Sequence, residues 1–230
     1  MSTRKMRDPV NQPNVEFAET RGSIKLGLLK SREWIYDPRR FLFSQARYKF
    51  AAKMLAGRQN VLEIGCGDAF NAPIIKQEVE RLTVTDFDPE FIASALAHMP
   101  PEYPYTALVH NFVEATLPQK FDAAYLLDVL EHVDAADEKT FIGNIMASLT
   151  DDAVMVVGMP SLESQAYASE GSKAGHVNCK SAPDLKALMQ SFFRAVFMFS
   201  MNDEVVHTGY HKMAHYIFAL CAHPIPHDRR

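Results

Sequence analysis

Apolar and polar residues follow two different periods along the chain, and each period predicts a different element. Short apolar runs bounded by turn-forming residues predict strands. Seven such runs occur, at residues 60–64, 82–86, 105–109, 123–127, 153–158, 195–199 and 215–221. Apolar residues spaced three and four apart predict amphipathic helices. These patterns lie near residues 43–55, 72–79, 89–98, 137–149 and 182–192. Residues 1 to about 20 show neither period and predict an irregular arm.

The alternation of strands and helices predicts an α/β fold with a doubly wound, Rossmann-like sheet of seven mostly parallel strands. The link between the last two strands carries no helical pattern, so the last strand is expected to run antiparallel. We divide the chain into an N-terminal arm or cover at residues 1–38 and a main domain at residues 39–230. An insert at about residues 159–181 lacks strong periodicity, and a segment of that length is usually a functional loop or a lid.

Composition narrows the class of partner. The chain's 230 residues suit one elaborated domain, and 47% hydrophobic residues suffice for a continuous core. A formal net charge of -4 argues against a nucleic-acid surface and favours a small-molecule acceptor. Three widely separated cysteines predict neither a disulfide framework nor a zinc ribbon, which favours a reducing, cytoplasmic location. No apolar run has the length of a signal peptide or a membrane span, so no membrane contact is expected. A homodimer is left open.

A glycine-containing turn carries the first chemical signal. An apolar run enters Gly65-Cys66-Gly67, and Asp86 ends the next apolar run, nineteen residues past Gly67. The two glycines permit a sharp turn and leave no Cβ between a cofactor and the backbone. Asp86 would then accept hydrogen bonds from a ribose diol. Residues 68–70 supply no third glycine, which favours a cofactor without a pyrophosphate and weakens the alternative of a dehydrogenase.

Three segments, residues 61–67, 82–89 and 121–133, resemble motifs of the class I S-adenosylmethionine-dependent methyltransferases, in the order typical of that superfamily. The resemblance covers about residues 40–221. It implies an enzyme whose residues 39–230 form a class I methyltransferase domain. It also implies S-adenosylmethionine as cofactor and S-adenosylhomocysteine as product. A non-catalytic module that binds S-adenosylmethionine is the alternative from another class.

The resemblance further implies a set of cofactor contacts. Glu63 would fix the glycine turn and reach toward the cofactor's amino group, and Phe87 would cover one face of the adenine. Asn111 and Phe112 would border the adenine edge, although the acidic residue usual there is absent. The full cofactor-binding set is Glu63, Gly65, Cys66, Gly67, Asp86, Phe87, Asn111, Phe112 and Asp128. Core packing of Phe87, a turn role for Asn111 and helix capping by Asp128 are the structural alternatives.

The acceptor side is expected in the loops after the fifth and sixth strands, because ligands of an open α/β sheet bind beyond the carboxyl ends of the strands. A histidine oriented by a carboxylate suits removal of a hydroxyl proton during methyl transfer. Our candidate catalytic set is His176, His207, Asp203 and Glu204, with His211 close by in the sequence. Solvent-facing or structural histidines are the alternative. The same set could hold a divalent metal, but no short ligand spacing is present and the prediction includes no metal.

We therefore predict a methyltransferase that O-methylates a small molecule. Overall similarity to bacterial stand-alone methyltransferases suggests a sugar or another surface-glycan precursor as the acceptor. N-methylation of an amino sugar or a small metabolite is the nearest alternative. Arg39 and Arg40 could meet a phosphate of the acceptor, or form the solvated start of a helix.

Overall fold

The structure is a computed structural model that describes residues 4–226. The strands in this range are β1 (Asn60–Ile64), β2 (Arg81–Asp86), β3 (Thr106–Val109), β4 (Phe121–Leu127), β5 (Leu149–Pro160), β6 (Phe193–Asn202), β7 (Val205–His207) and β8 (Tyr216–Pro224). The helices are α1 (Gln12–Arg21), α2 (Leu28–Tyr36), α3 (Pro38–Met54), α4 (Ala72–Lys76), α5 (Pro89–His98), α6 (Glu138–Ala147), α7 (Glu170–Gly175) and α8 (Ala182–Gln190). None of these helices combines the length and the hydropathy needed to cross a bilayer.

The strands form one sheet in the order β3-β2-β1-β4-β5-β8-β6-β7. Strands β1 to β5 pair in parallel, and β8 runs antiparallel between β5 and β6. The predicted mostly parallel sheet with an antiparallel last strand is confirmed. The predicted count of seven strands is wrong, because β7 adds an eighth by pairing with Ser200–Asn202 of β6. Three residues are too few to show an alternating pattern in the sequence.

Helices cover both faces of the sheet. On one face α3, α4 and α5 contribute Ala51, Ile75 and Ile92 to a buried apolar cluster. On the other face α6 and α8 contribute Ile142 and Leu185 to a second cluster. This is the doubly wound arrangement that the sequence predicts. Because both faces are covered, ligands reach the parallel strands at their carboxyl ends.

The N-terminal segment differs from the predicted irregular arm, because residues Gln12–Arg21 form helix α1. No residue of α1 is buried, so the helix has no apolar face that a periodic pattern could reveal. Pro13 lies in the first turn, where its missing N–H costs no hydrogen bond, so it starts the helix rather than breaking it. Residues 1–3 of the predicted arm lie outside the described residues.

Helix α2 packs against the main domain through buried polar contacts. The backbone N–H of Lys30 donates to Oδ2 of Asp68 at 2.9 Å, and its ammonium donates to Oγ of Ser44 at 2.9 Å. A Cβ on Gly27 would lie 2.4 Å from the Asp68 carboxylate. The start of α2 therefore lies directly on the loop that follows β1. A cover function for residues 1–38 stays a prediction.

Candidate active site

Strand β1 ends in the turn Gly65-Cys66-Gly67, which we call the glycine loop. Gly65 and Gly67 have φ angles of 71° and 54°, in the left-handed region that glycine adopts without steric cost. The N–H groups of Gly65 and Cys66 both donate to the carbonyl of Thr85, at 2.8 and 2.9 Å. A Cβ on Gly65 would lie 2.4 Å from Cγ2 of Val129. The loop is thus fastened to β2 and pressed against the segment that follows β4.

Asp86 closes the glycine loop from the end of β2. Its Oδ2 accepts from the N–H of Gly67 at 2.9 Å, and its Oδ1 accepts from the N–H of Asp88 at 3.0 Å. Burial raises the pKa of Asp86, against the lowering effect of these N–H donors. Each carboxylate oxygen keeps a lone pair for a ribose hydroxyl. Phe87 is 73% exposed, so its ring is free to cover an adenine. Both residues fit the predicted cofactor.

Glu63 lies inside β1 and is 1% exposed. Its two carboxylate oxygens accept from the hydroxyls of Tyr48, at 2.5 Å, and Tyr125, at 2.7 Å. Burial raises the pKa of Glu63 to about 7, although both tyrosine hydroxyls act in the opposite direction. Glu63 therefore joins β1, α3 and β4 beneath the glycine loop. Its contact with the cofactor's amino group stays a prediction.

The remaining predicted cofactor residues have structural duties. Cys66 is buried, and burial raises the pKa of its thiol. Asn111 shapes the turn after β3, because its side chain accepts from the N–H of Val113 at 3.0 Å and donates to Glu114 at 2.8 Å. Phe112 is 2% exposed and lies in the core, so its contact with an adenine stays a prediction.

Asp128 follows β4 with a left-handed φ of 59°. Both of its carboxylate oxygens accept from Nη1 of Arg47 at 2.8 Å. The Arg47 guanidinium also lies 3.9 Å above the centre of the Tyr216 ring. Asp128 is therefore half of a partly buried ion pair between β4 and α3, and not the helix cap that was the structural alternative.

A cavity of about 750 Å³ opens beside this ion pair. Its walls come from the start of α3, the segment after β4, the insert and the turn after β6. Among its lining residues are Arg39, Arg40, Asp128, His176, Asp203 and Glu204. The volume lies in the range of small-molecule sites. Three of the four predicted catalytic residues, His176, Asp203 and Glu204, thus share one cavity.

His207 is the fourth predicted catalytic residue, and the structure places it apart from these three. Its Nδ1 accepts from the N–H of Gly209 at 2.9 Å, and its Nε2 lies 2.8 Å from Oδ1 of Asn202. Both ring nitrogens are therefore used in the β6–β7 turn, and His207 does not line the cavity. His211 does not line it either, and its Nδ1 lies 3.9 Å from Glu163.

His176 lies at the end of α7 with its Nδ1 2.8 Å from Oε1 of Gln165. An amide oxygen only accepts, so Nδ1 carries the proton and Nε2 of the neutral ring has a free lone pair. Burial, followed by the charge of His132, lowers the pKa of His176, which favours the neutral ring. His176 is thus in the state that a proton acceptor requires.

Sequence reasoning did not predict several contacts of this region. Arg47 gains its importance from Asp128, 81 residues away, and no local pattern links the two. Gln165 belongs to an insert without periodicity. Glu131 and His132 lie within the third resembling segment, but no role was attached to them there. Their adjacency to Asp128 was the available signal.

Comparison with known proteins identifies the family. A family model described as a methyltransferase domain matches residues 36–192, which is more than half of the chain, and the chain belongs to that family. A probable S-adenosylmethionine-dependent methyltransferase of Mycolicibacterium smegmatis is 28% identical over 137 residues, which make up 59% of this chain and 48% of that protein. The chain therefore spans about half the length of this curated relative.

Solved structures agree with this assignment at the level of the fold. The N-methyltransferase NodS from Bradyrhizobium japonicum WM9, in complex with S-adenosylhomocysteine, has a TM-score of 0.59 and 18% identity, and the match covers 81% of this chain and 87% of that one. A structure described as a possible histamine N-methyltransferase from Thermotoga maritima has a TM-score of 0.64 and 18% identity, covering 85% and 95%. The predicted class I methyltransferase family and its cofactor, S-adenosylmethionine, are confirmed.

Proposed function

We propose that this chain transfers the methyl group of S-adenosylmethionine to an oxygen of a small molecule, with a sugar or another surface-glycan precursor as the acceptor class. One observation carries the proposal. Val129 packs against the glycine loop, while the neighbouring Asp128 lines the cavity. A single segment therefore borders both the expected cofactor site and the expected acceptor site, and methyl transfer requires this proximity.

Within this site each residue has a limited task. Asp86 would hold the ribose, Phe87 the adenine, and the glycine loop would approach the cofactor through bare backbone. S-adenosylmethionine supplies a methyl group on a sulfonium, so its carbon–sulfur bond breaks as the bond to the acceptor oxygen forms. The chain must align the acceptor and accept the hydroxyl proton. Nε2 of His176 has the free lone pair for that proton.

The charges of the cavity favour a polar acceptor. Arg39 and Arg40 lie at one wall, and Asp203 and Glu204 lie in the turn after β6. Guanidinium groups bind phosphate and carboxylate oxygens, and carboxylates accept hydrogen bonds from hydroxyls. A small acceptor that carries several hydroxyls and an anionic group would complement both sets.

Incubation of the full chain with methyl-labelled S-adenosylmethionine tests the proposal. The acceptor panel contains free sugars, nucleotide-linked sugars, amino sugars and simple amines. We expect labelled product at a hydroxyl, and we expect His176→Gln to lower kcat about 100-fold or more, as loss of a general base does. The matched control is His98→Gln. His98 also donates from Nδ1, to the backbone carbonyl of Ser94, but it lies on α5 and does not line the cavity.

Other outcomes decide against parts of the proposal. Transfer to amines alone would contradict methylation of oxygen. Tight binding of S-adenosylhomocysteine without transfer to any acceptor would favour a non-catalytic binding module. If calorimetric titration showed binding of NAD but not of S-adenosylhomocysteine, the assignment of the site to S-adenosylmethionine would be contradicted.

A further inference from the structure

Glu131, His132 and His176 form a cluster beside the cavity, which we call the Glu-His-His cluster. Glu131 and His132 belong to a short 3-10 turn after β4, and His176 follows α7 in the insert. One potential ligand atom from each residue lies within 4.8 Å of the other two. The two imidazole rings have their centres 5.3 Å apart. The backbone N–H of Asn178 donates to the carbonyl of Glu131 at 3.0 Å, which holds the insert against this turn.

Hydrogen bonds determine which ring nitrogens are available. Nδ1 of His132 lies 2.7 Å from the carbonyl of Gly175, so Nδ1 carries the proton and Nε2 keeps its lone pair. Nδ1 of His176 donates to Gln165, whose amide orientation is set by donation to the carbonyl of Ser161 at 3.2 Å. Within residues 4–226, neither Nε2 has a hydrogen-bond partner. Metal-ligating histidines have this arrangement, with one nitrogen held by an acceptor and the other free.

Glu131 adds an independent observation. Its side chain is fully buried, and neither carboxylate oxygen has a hydrogen-bond partner in another described residue. An unpaired buried carboxylate is strongly unfavourable. The guanidinium of Arg47, whose charge acts on Glu131, donates to Asp128 instead. A positive charge at the Glu-His-His cluster would remove this cost.

We propose that Glu131, His132 and His176 bind a divalent first-row transition-metal ion. Two imidazoles and one carboxylate suit Mn²⁺, Fe²⁺, Co²⁺ or Zn²⁺, whereas Mg²⁺ and Ca²⁺ prefer sites made of oxygen ligands alone. Three ligands from the chain leave coordination positions open. His176 also lines the cavity, so an open position is accessible to the acceptor.

The role of the metal rests on the proposed function. A hydroxyl bound at an open position loses its proton more easily, because a metal ion lowers the pKa of an oxygen that it binds. The proton would then pass to Asp203 or Glu204, which line the same cavity. With the metal bound, Nε2 of His176 would be a ligand and not the base of the proposed function, and Asp203 or Glu204 would be the base in its place.

Titration of the chelator-treated full chain with Co²⁺ tests the site directly, by calorimetry and by visible absorption. We expect one Co²⁺ per chain, and a spectrum that shows nitrogen ligands. Glu131→Gln, His132→Gln and His176→Gln should each weaken binding by at least about 100-fold, since even changes behind the ligands cost about 10- to 100-fold. His98→Gln is the control, because Nδ1 of His98 lies 2.7 Å from a backbone carbonyl, as in His132, but His98 is not part of the cluster.

Absence of stoichiometric Co²⁺ binding would overturn the metal site. So would unchanged binding by His132→Gln, whose exposed position makes the variant safe for folding even if Glu131→Gln destabilises the core. Far-UV circular dichroism verifies folding in each case. Titration of the same samples with S-adenosylhomocysteine separates the two proposals. If the chain binds S-adenosylhomocysteine but not Co²⁺, only the metal site is rejected. If it binds Co²⁺ but not S-adenosylhomocysteine, the metal site is supported and the proposed function is rejected.

Discussion

The region around the glycine loop and the ends of β1 and β2, which we call the cofactor end, differs from the region around the cavity, which we call the cavity end. At the cofactor end, the buried carboxylates of Glu63, Asp68 and Asp86 all accept hydrogen bonds. Around the cavity, Glu131 accepts none from another described residue. The other buried side-chain nitrogen and oxygen atoms without a partner, within residues 4–226, are on Arg47, Glu163, His211, His215 and Tyr216. None of them belongs to β1, β2 or the loops that follow these strands.

The two regions therefore differ in whether their buried polar atoms have hydrogen-bond partners within the described residues. The cofactor end satisfies its own polar groups and leaves only spare lone pairs and one exposed ring for a ligand. Within residues 4–226, the polar atoms named above are buried without a partner, at a cost of about 1 to 3 kcal/mol for each. Such groups are rare in native structures and call for an explanation. A bound ion would supply the missing partner of Glu131, and a polar acceptor that of Arg47, which lines the cavity.

The largest expected effect concerns the cofactor end. Asp86→Ala should weaken binding of S-adenosylhomocysteine by about 1,000-fold, because two charge-assisted hydrogen bonds to the ribose, each worth about 2 kcal/mol, are lost. Calorimetric titration measures this change. Asp122→Ala is the control, since Asp122 likewise accepts two N–H groups, from Gln59 at 2.9 Å and Asn60 at 2.7 Å, but at the opposite end of β1. An equal loss in both variants would point to general destabilisation instead.

Glu63 should make the stability of the chain depend on pH. Its pKa is about 7 in the folded chain and ordinarily 4.5, so between these values the folded state binds more protons than the unfolded state. The free energy of unfolding should therefore fall by about 3 kcal/mol as the pH rises through this window. Urea unfolding across the window should show a flatter profile for Glu63→Gln. The control variant Glu78→Gln, at a carboxylate whose side chain is 26% exposed, should keep the parental slope, and a Glu63→Gln profile that also keeps it would refute the prediction.

The ion pair of Arg47 and Asp128 at the cavity should contribute less than Glu63 to the free energy of unfolding. Arg47→Met should lower the free energy of unfolding by about 2 kcal/mol, because it leaves Asp128 without its partner. The Asp128 side chain is 29% exposed, which places the cost below that of a fully buried pair. Lys53→Met on the same helix breaks an exposed pair with Glu78 and should cost less than about 1 kcal/mol. Thermal and urea unfolding would contradict the assignment if the two variants were equally stable.

The smallest effect is expected at His207. His207→Ala removes two hydrogen bonds of an exposed turn and should change the free energy of unfolding by about 1 kcal/mol or less. Binding of S-adenosylhomocysteine and methyl transfer should stay at the parental level. A large loss of turnover would indicate that His207 acts at the acceptor site, and it would contradict the structural role assigned to this residue.

Local patterns in the sequence were sufficient to predict the contact between the glycine loop and Asp86. The glycine loop and Asp86 lie on consecutive strands, so the apolar runs, the glycines and the strand order predict their meeting. Helix α1 and strand β7 escaped the same reasoning. The first has no buried face, and the second is too short for a period.

The sequence by itself determined the fold, its family and the meeting of the glycine loop with Asp86, because these depend on short-range periodicity and on turn chemistry. Only the tertiary structure decided which titratable groups are free. The sequence does not distinguish His207 from His132. Within residues 4–226, His207 has hydrogen bonds at both ring nitrogens, whereas His132 has one at Nδ1 only and lies beside Glu131, whose buried carboxylate has no partner in another residue. Such differences arise from partners that are distant in the chain, as Gly175 is from His132, and burial and hydrogen bonding exist only once those partners meet.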